Sequence, residues 1–405
     1  MRYLKSVLII ILLALTLNPI IAHADEAQWI EKNPISTKSN NMSVITVNGE
    51  MYRIGGFDFD SIPSSSSDKL FKYDASNDSW IPKASMNVKR DYFAIAEAGG
   101  KIYVFGGHQY LGNNIPPTII NSVEEYDPAT NVWTVKANMP TARMGMHAAT
   151  VNGKIYVISG IVGDNNFTSS VVEEYDPATN SWTKKNDIPT KRWTYGIGVY
   201  SNKIFIIGGY YSGTTKTDKI EIYDPNSDSW TTSSAVSPTL NAEPRSVTYK
   251  DNIYLFGVGG TFIFSPSTET LTSLPAIPAP KYVDGSAIGL LNGKLYSVGG
   301  SGQSTVFEYT LEKSDNPGTD PTPEPTGDRA ILTITLITGI EKEFDLSKEE
   351  VNAFLTWYDA KDAGSGHTKF AIDKHSNNKG PFSKRTEYVI HDKILTFEVS
   401  EYTAQ

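Results

Sequence analysis

Short apolar runs, each closed by a polar turn, recur along most of the chain at intervals of about fifty residues. The run Lys101-Ile-Tyr-Val-Phe-Gly-Gly107 is typical. Its β-branched and aromatic residues favour a buried strand, and its glycines permit a close backbone approach. The same step of each run holds an aromatic residue: Tyr52, Tyr103, Tyr156, Phe205, Tyr254 and Tyr296. The pattern predicts six repeated units of short strands.

In each of the first four units a second apolar run leads through a turn to a tryptophan, seven residues after the last tyrosine of that run. Proline fixes φ in the turn Tyr126-Asp-Pro, and aspartate can cap local amides. The pairs are Tyr73 and Trp80, Tyr126 and Trp133, Tyr175 and Trp182, and Tyr223 and Trp230. Large aromatic plates can fill the wedge between twisted sheets, so we expect a structural role for them. The fifth unit has Phe264 and Leu271 and is expected to diverge most.

The last unit lacks its tryptophan, and the beginning of the chain supplies a candidate. No tryptophan lies seven residues after Tyr309, whereas Trp29 precedes Tyr52 by 23 residues, as Trp80 precedes Tyr103. The segment that starts at Trp29 is therefore predicted to complete the last sheet. Closing the ring in this way would remove unpaired sheet edges.

The strand with its double glycine and the Tyr-Asp-Pro turn to tryptophan resemble the kelch repeat. The resemblance covers residues 25–313. It implies a mainly β fold, a six-bladed kelch β-propeller closed by the N-terminal strand, with four-stranded antiparallel blades.

Three further segments flank the repeats. Residues 1–24 combine Arg2 and Lys5, an apolar run and Ala22-His23-Ala24, which predicts a cleaved signal peptide and a secreted or extracytoplasmic protein without membrane insertion after cleavage. A retained membrane anchor is the alternative. Residues 314–327 are rich in proline and predict an extended linker.

Residues 328–405 predict a small α+β domain of unassigned role. Strands are expected at 331–338, 369–373, 386–390 and 393–399, the last two as a hairpin. Ser347 and Glu350 fit a capping box before a helix, and Gly364 could end that helix.

Composition excludes several classes of function. Cysteine is absent, which removes thiolate metal sites, cysteine nucleophiles and the cysteine–tyrosine crosslink on which galactose-oxidase-like propellers depend. A formal charge of −9 without a basic run argues against nucleic-acid binding. Neither HExxH, GxSxG nor a P-loop occurs. We therefore predict no catalytic residues, no cofactor and no metal site; the loops 58–60 and 164–166 could bind calcium but are expected to be solvated tips.

One constellation indicates binding. Arg90, Arg143 and Arg192 each lie ten residues after a tryptophan, and Lys281 and Lys38 lie near the equivalent step. In kelch proteins, arginines at such positions often line the ligand-binding face, so the resemblance implies that these residues gather around one mouth of the channel. The loops on that face would add Phe57, His108, Tyr110, Trp193, Tyr210 and Tyr211. The alternative is that each arginine pairs with a carboxylate or carbonyl of a neighbouring blade and staples the ring.

Two functions follow. The favoured one is an exported, non-enzymatic binding protein that recognises an extracellular or cell-envelope glycan, peptide or protein, because guanidinium grips carboxylates and aromatic faces stack on sugars. The second is a carbohydrate-active enzyme such as a sugar-acid mutarotase, as some exported kelch proteins are. Its acid–base candidates are Asp91, Glu97, Glu243 and Asp284.

Overall fold

The computed structural model describes residues 29–112, 115–163, 167–213, 215–237, 241–258, 260–277, 285–311, 328–337, 341–362, 368–374 and 385–403. The predicted signal peptide and the linker at 314–327 lie outside these ranges. The fold is mainly β. The chain divides into two compact units, Met1–Ser314 and Asp315–Gln405. No helix in the described ranges is long and apolar enough to span a membrane.

The first unit is built from short strands. In chain order these are β1 (Trp29–Lys32), β2 (Ser39–Asn40), β3 (Ser43–Val47), β4 (Glu50–Ile54), β5 (Phe57–Asp58), β6 (Ser65–Ser66), β7 (Leu70–Asp74), β8 (Ser79–Lys83), β9 (Ala94–Ala98), β10 (Lys101–Gln109), β11 (Thr118–Asp127) and β12 (Val132–Lys136). Next come β13 (His147–Val151), β14 (Lys154–Ile158), β15 (Ile161–Val162), β16 (Phe167–Thr168), β17 (Val172–Asp176), β18 (Ser181–Lys185), β19 (Gly196–Tyr200), β20 (Lys203–Ile207), β21 (Tyr210–Ser212), β22 (Thr215–Lys216), β23 (Lys219–Asp224) and β24 (Ser229–Val236). The last are β25 (Asn241–Tyr249), β26 (Asn252–Val258), β27 (Gly260–Ser265), β28 (Thr270–Leu274), β29 (Ala287–Leu291), β30 (Lys294–Val298) and β31 (Val306–Thr310).

These strands form six four-stranded antiparallel sheets in the part of the first unit that the structure describes. We call the sheets blades. Blades 1 to 6 consist of β3-β4-β7-β8, β9 to β12, β13-β14-β17-β18, β19-β20-β23-β24, β25 to β28, and β29-β30-β31-β1. The remaining short strands make small ribbons in the loops.

The first strand pairs with the last blade, as the spacing of the tryptophans predicted. Trp29 lies opposite Tyr309 in the antiparallel pair of β1 and β31, with their rings 5.1 Å apart. The indole Nε1 of Trp29 donates a hydrogen bond to the carbonyl oxygen of Pro275 at 3.0 Å. Blade 6 therefore combines the two ends of the repeat array.

The inner strands of successive blades contact one another in the order β3, β9, β13, β19, β25 and β29, and β29 contacts β3. The inner strands of neighbouring blades belong to different sheets and share no backbone ladder. Side-chain hydroxyl groups form hydrogen bonds between them instead. Thr150 donates to the carbonyl of Glu97 at 2.6 Å, and Ser246 donates to that of Ile197 at 2.7 Å. Residues of these inner strands line a cavity of about 720 Å³, which we call the channel.

The repeated aromatic residues pack between blades, as their periodicity predicts. Tyr126 and Trp133 have rings 5.1 Å apart. The indole Nε1 of Trp133 donates to the carbonyl of Ala84, which follows the outer strand of blade 1, at 2.8 Å. Trp182 makes the same bond to Ala137 at 2.9 Å. Each of these tryptophans thus joins its blade to the preceding one.

The second unit contains β32 (Asp328–Leu336), β33 (Glu341–Ser347), α1 (Lys348–Asp362), β34 (Lys369–Lys374), β35 (Arg385–Ile390), a 3₁₀ turn (His391–Lys393) and β36 (Ile394–Thr403). The sheet order is β33-β32-β36, and β34 pairs with β35. Phe354 of α1 is fully buried among the apolar residues of these strands.

Sequence patterns anticipated part of this unit. The capping box is confirmed, because the Ser347 amide donates to Glu350 at 2.9 Å and the Glu350 amide donates to the Ser347 hydroxyl at 3.2 Å. The predicted hairpin of the last two strands is wrong, since β36 pairs along β32 instead. Strand β33 was not predicted at all. Gly364 lies outside the described residues.

Replacing Trp29 with alanine should destabilise the first unit by about 3–5 kcal/mol, because it removes a large buried side chain. Trp29 is 8% exposed, whereas Ile30 on the same strand is 57% exposed. Ile30→Ala should therefore change the free energy of unfolding by less than about 0.5 kcal/mol. Denaturant titration followed by circular dichroism measures both. Equal effects of the two changes would contradict the role given to β1.

Candidate functional site

The inner strands begin, and the second strands of the blades end, on one side of the first unit. We call this side the loop face; it comprises residues 38–42, 57–66, 89–93, 108–112, 115–117, 143–147, 160–163, 167–168, 192–196 and 210–213. All of the predicted binding residues that the structure describes lie on or directly below it.

The three repeat arginines are buried beneath the loop face. Arg90, Arg143 and Arg192 each have 0% exposure. Arg90 reaches Glu124 at 2.8 Å and Arg143 reaches Glu173 at 2.6 Å, and Arg192 pairs with Glu221. Burial lowers the pKa of each arginine, and the paired glutamate acts in the opposite direction. A second nitrogen of each guanidinium donates to the end of the second strand, at Gly106, Ser159 or Gly208.

This burial corrects the prediction that Arg90, Arg143 and Arg192 line the ligand-binding face. A fully buried guanidinium that is already bonded to a carboxylate and to carbonyls has no surface to offer a ligand. The stapling alternative is correct in that each arginine is bonded inside the protein, but it is wrong about the partner, because the guanidinium bonds within the same blade and not to a neighbouring one. Each guanidinium bonds within its own blade, while its main-chain carbonyl accepts from a glycine of the preceding blade: Gly56, Gly107 or Gly160, at 3.0, 2.8 and 2.9 Å.

Blades 5, 6 and 1 replace this ion pair. The register places Phe71, Phe262 and Phe307 where blades 2 to 4 have glutamate. In blade 1 the buried Arg53 lies over the ring of Phe71, 5.1 Å from its centroid. Burial lowers the pKa of Arg53 to about 10. Three blades therefore contain a buried arginine–glutamate pair, and the other three have phenylalanine at the glutamate position.

Two aromatic groups remain at the surface. The ring of Tyr110 stacks on Phe57 at 6.0 Å, and that of Trp193 stacks on Tyr210 at 5.2 Å. Tyr211 is 42% exposed. The structure thus brings the predicted aromatic residues together at blades 1 and 2, and separately at blade 4.

Of the two predicted lysines, Lys38 lies within the described residues. Lys38 is exposed, and its amide donates to Asp60 at 2.7 Å. This places it beside the loop that carries Phe57. Lys281 lies outside the described residues, so its predicted place on the face stays a prediction.

His108 belongs to a polar cluster with Asp91 and Ser66. The buried carboxylate of Asp91 accepts from the Ser66 hydroxyl at 2.5 Å and lies 3.1 Å from Nδ1 of His108. The His108 side chain is 24% exposed and that of Asp91 2%. A carboxylate held on one ring nitrogen orients an imidazole and leaves its other nitrogen available.

The channel mouth contains a smaller cavity of about 80 Å³, lined by Asn41, Tyr92, Gly145, His147, Arg245 and their neighbours. Arg245, which is displaced from the repeat register, reaches from blade 5 to Asn41 and lies 3.4 Å from Nε2 of His147. Burial, and then the charge of Arg245, lower the pKa of His147 to about 3. His147 is therefore neutral near pH 7.

The four acid–base candidates do not form one site. Asp91 belongs to the cluster with His108, whereas Glu97 lies on the channel wall near the other end of β9 and accepts from the Gly100 amide at 2.8 Å. The side chain of Glu243 and all of Asp284 lie outside what the structure describes.

Exposed apolar residues on the loop face were missed by the sequence analysis. They are Phe59, Ile62, Leu111, Ile115 and Phe167, with exposures of 41, 100, 36, 47 and 64%. They lie in loops that differ in length and sequence from unit to unit, so no period marks them. Only their apolar character in otherwise polar loops could have pointed to them.

Within the described ranges, no three His, Asp or Glu side chains are grouped so that they could hold a metal ion. In the loop at 58–60, an Asp58 carboxylate oxygen accepts from the amides of Asp60 and Ser61 at 2.9 and 3.1 Å. That carboxylate thus organises its own turn. The loop at 164–166 lies outside the described residues.

Comparison with protein families identifies the repeats. A model described as the KLHDC2/KLHL20/DRC7 kelch-repeats domain matches residues 22–209, and the kelch motif matches residues 194–234. The chain is 35% identical to F-box/kelch-repeat protein At1g67480 of Arabidopsis thaliana, over 31% of each chain. It is 31% identical to Kelch repeat and BTB domain-containing protein 12 of Homo sapiens, over 33% of this chain and 24% of that protein. The chain spans a third or less of the length of these curated relatives.

The solved structure of YjhT is similar in fold. It superimposes with a TM-score of 0.58 at 15% sequence identity, covering 70% of this chain and 98% of that one. At this identity the likeness concerns the fold alone.

Replacing Arg143 with methionine should destabilise the first unit by about 3–5 kcal/mol, because Glu173 is left buried and unpaired. Adding Glu173→Phe, which gives blade 3 the residue found at this position in blades 1, 5 and 6, should recover part of that loss. Denaturant titration of both variants checks this. Lys154→Met, which breaks the half-exposed pair with Glu174, is the control and should cost about 1 kcal/mol or less. A double variant less stable than Arg143→Met alone would contradict the pairing argument.

Proposed function

Because this chain is a kelch-repeat protein, we propose that its first unit binds a polypeptide partner through the loop face. Kelch-repeat proteins generally mediate protein–protein interaction. The observation that carries the proposal is the set of exposed apolar side chains on this face. Soluble proteins rarely expose such residues together unless they meet a partner.

The arrangement of these side chains supports the proposal. Phe59 and Ile62 project from the loop of blade 1, Leu111 and Ile115 from that of blade 2, and Phe167 from that of blade 3. Aromatic anchors surrounded by polar rims are typical of interface hot spots. The stacked pair of Trp193 and Tyr210 extends the same surface into blade 4.

The surface is proposed to rest on a closed ring of six blades. The pairing of β1 with β31 and the contacts from each inner strand to the next support this arrangement. A ring closed in this way would pack both faces of every blade against neighbouring blades, so the loops would be presented from a rigid base.

The partner is proposed to lie outside the cytoplasm, as an extracellular or cell-envelope protein. The support is the predicted signal peptide at residues 1–24, with its charged start, apolar run and small-residue cleavage motif. A glycan is the alternative ligand, because exposed aromatic rings also stack on sugars.

A second candidate function is a carbohydrate-active enzyme such as a sugar-acid mutarotase. The observation that favours it is the contact between Asp91 and His108, 3.1 Å apart with the imidazole partly exposed on the loop face. A carboxylate–imidazole pair of this kind can accept and return a proton. The fold alone does not establish that activity.

Selection of a random-peptide phage library on the full chain should enrich peptides that bind the loop face. Phe167→Ala combined with Tyr211→Ala should weaken a selected peptide at least tenfold, measured by calorimetry, because both changes remove exposed apolar contact area. Val135→Ala is the matched control, since Val135 on an outer strand is 64% exposed, as is Phe167. It should leave the affinity unchanged.

Three outcomes separate the alternatives. Enrichment of peptides whose affinity is insensitive to the double change would contradict the loop face as the site. Binding to a glycan array without any peptide enrichment would contradict a polypeptide partner. Accelerated anomer interconversion of a sugar acid in proton NMR, lost in Asp91→Asn, would favour the enzyme.

A further inference from the structure

Blade 1 differs from the other blades at one buried position. In blades 5 and 6 the phenylalanine at the glutamate position lies opposite the uncharged Leu255 and Ser297 of the second strand. In blade 1, Phe71 lies opposite Arg53. Blade 1 therefore has a buried arginine without the glutamate that accompanies it in blades 2 to 4. In those blades the glutamate lies opposite an apolar residue of the second strand: Val104, Val157 or Ile206.

The arginine of blade 1 also lies on a different strand from the repeat arginines. Ser39 takes their place, because its main-chain carbonyl accepts from Gly300 of blade 6 at 3.0 Å, as that of Arg90 accepts from Gly56 of blade 1. The Ser39 side chain is buried, and its hydroxyl oxygen has no hydrogen-bond partner among the described residues. The cation comes instead from Arg53 of β4.

The Arg53 guanidinium is buried among uncharged partners. The residue is 3% exposed. Its Nη2 donates to the Thr37 hydroxyl at 2.9 Å, and its Nε donates to the sulfur of Met42 at 3.3 Å. A thioether sulfur is a weak acceptor. Nη1 has no hydrogen-bond partner in the part of the chain that the structure describes. The guanidinium thus keeps an unused donor that points to a missing acceptor.

The charge of Arg53 is not balanced by a bonded carboxylate. Burial lowers the pKa of Arg53 to about 10, so the side chain is protonated at neutral pH. The charge of Asp58 raises that pKa. Within the described ranges, however, neither Asp58 nor any other carboxylate forms an ion pair with Arg53, and Asp58 accepts from the amides of Asp60 and Ser61. A buried cation without a bonded anion is costly.

We propose that Arg53 binds a small monovalent anion, such as chloride, which takes the part that glutamate plays in blades 2 to 4. Nη1 of the guanidinium donates to the anion. The Ser39 hydroxyl, two residues from Thr37 on the same segment, supplies a further donor. A single negative charge balances the single charge of Arg53, whereas a divalent anion such as sulfate would bring an uncompensated charge into these buried surroundings.

The full chain should unfold at a higher temperature in sodium chloride than in sodium gluconate of the same ionic strength. An anion that binds the native state alone stabilises it by mass action, so a saturating chloride concentration should raise the midpoint by at least about 3 °C. Tryptophan fluorescence reports this transition for the first unit, because every tryptophan except Trp357 lies there.

Phe71→Glu gives blade 1 the residue that blades 2 to 4 have at this position. A carboxylate opposite Arg53 should replace the anion, so this variant should have the same midpoint in both salts and should exceed the unaltered chain in gluconate. Arg53→Met should also lose the difference between the salts. Lys154→Met, which removes a half-exposed lysine, is the control and should keep that difference. Comparing variants in the same two salts cancels the general effects of the salts.

Crystals of the unaltered chain grown in sodium bromide should show anomalous scattering from bromide in contact with the Arg53 guanidinium. Equal midpoints of the unaltered chain in the two salts would overturn the proposal, because the side chains around Arg53 would then suffice for its charge. A chloride effect that persists in Phe71→Glu would overturn it as well, because the anion would then bind elsewhere. If Arg53→Met does not fold, Phe71→Glu and the bromide crystals decide between these results.

Discussion

The loop face depends on main-chain hydrogen bonds that join neighbouring blades around the channel mouth. These bonds fix the positions of the loops relative to one another. Asn41, Tyr92, Gly145 and Thr194 adopt positive φ and bond from blade to blade. Three of these are not glycine, and the left-handed conformation costs such residues on the order of 1 kcal/mol each. The surrounding contacts therefore have to hold them, and the loop-face residues next to them inherit their fixed spacing.

The buried arginines are the side-chain part of the same joint. Arg143 bonds through its guanidinium to Glu173 in its own blade and through its carbonyl to Gly107 of the preceding one. Leaving either charge alone would be costly, so arginine and glutamate occur together in blades 2 to 4, and phenylalanine takes the glutamate position in the other three. Glutamate and phenylalanine occupy the same position, but only the glutamate requires a buried arginine as its partner.

The repeat spacing predicted the strands, the interblade tryptophans and the pairing of Trp29 with the last blade, because these depend on periodic packing. The spacing of Arg90 predicted that it lies near the channel mouth. It could not predict whether the guanidinium is exposed there or buried. Burial of that guanidinium is decided by Glu124, 34 residues later on another strand. Phe167 and Ile62 lie in loops that do not repeat, so no sequence period identifies them. Strand β36 pairs with the distant β32 and not with the nearer β35, and local sequence patterns do not reveal such a long-range pairing.

Arginine-specific labelling with phenylglyoxal, read by mass spectrometry, tests most directly whether the repeat arginines form the interior joint. Arg90, Arg143 and Arg192 should stay unmodified in the native protein and react fully in denaturant, because each has no exposed surface. Modification of any of the three at the same rate in both conditions would place that guanidinium on the surface and contradict the account.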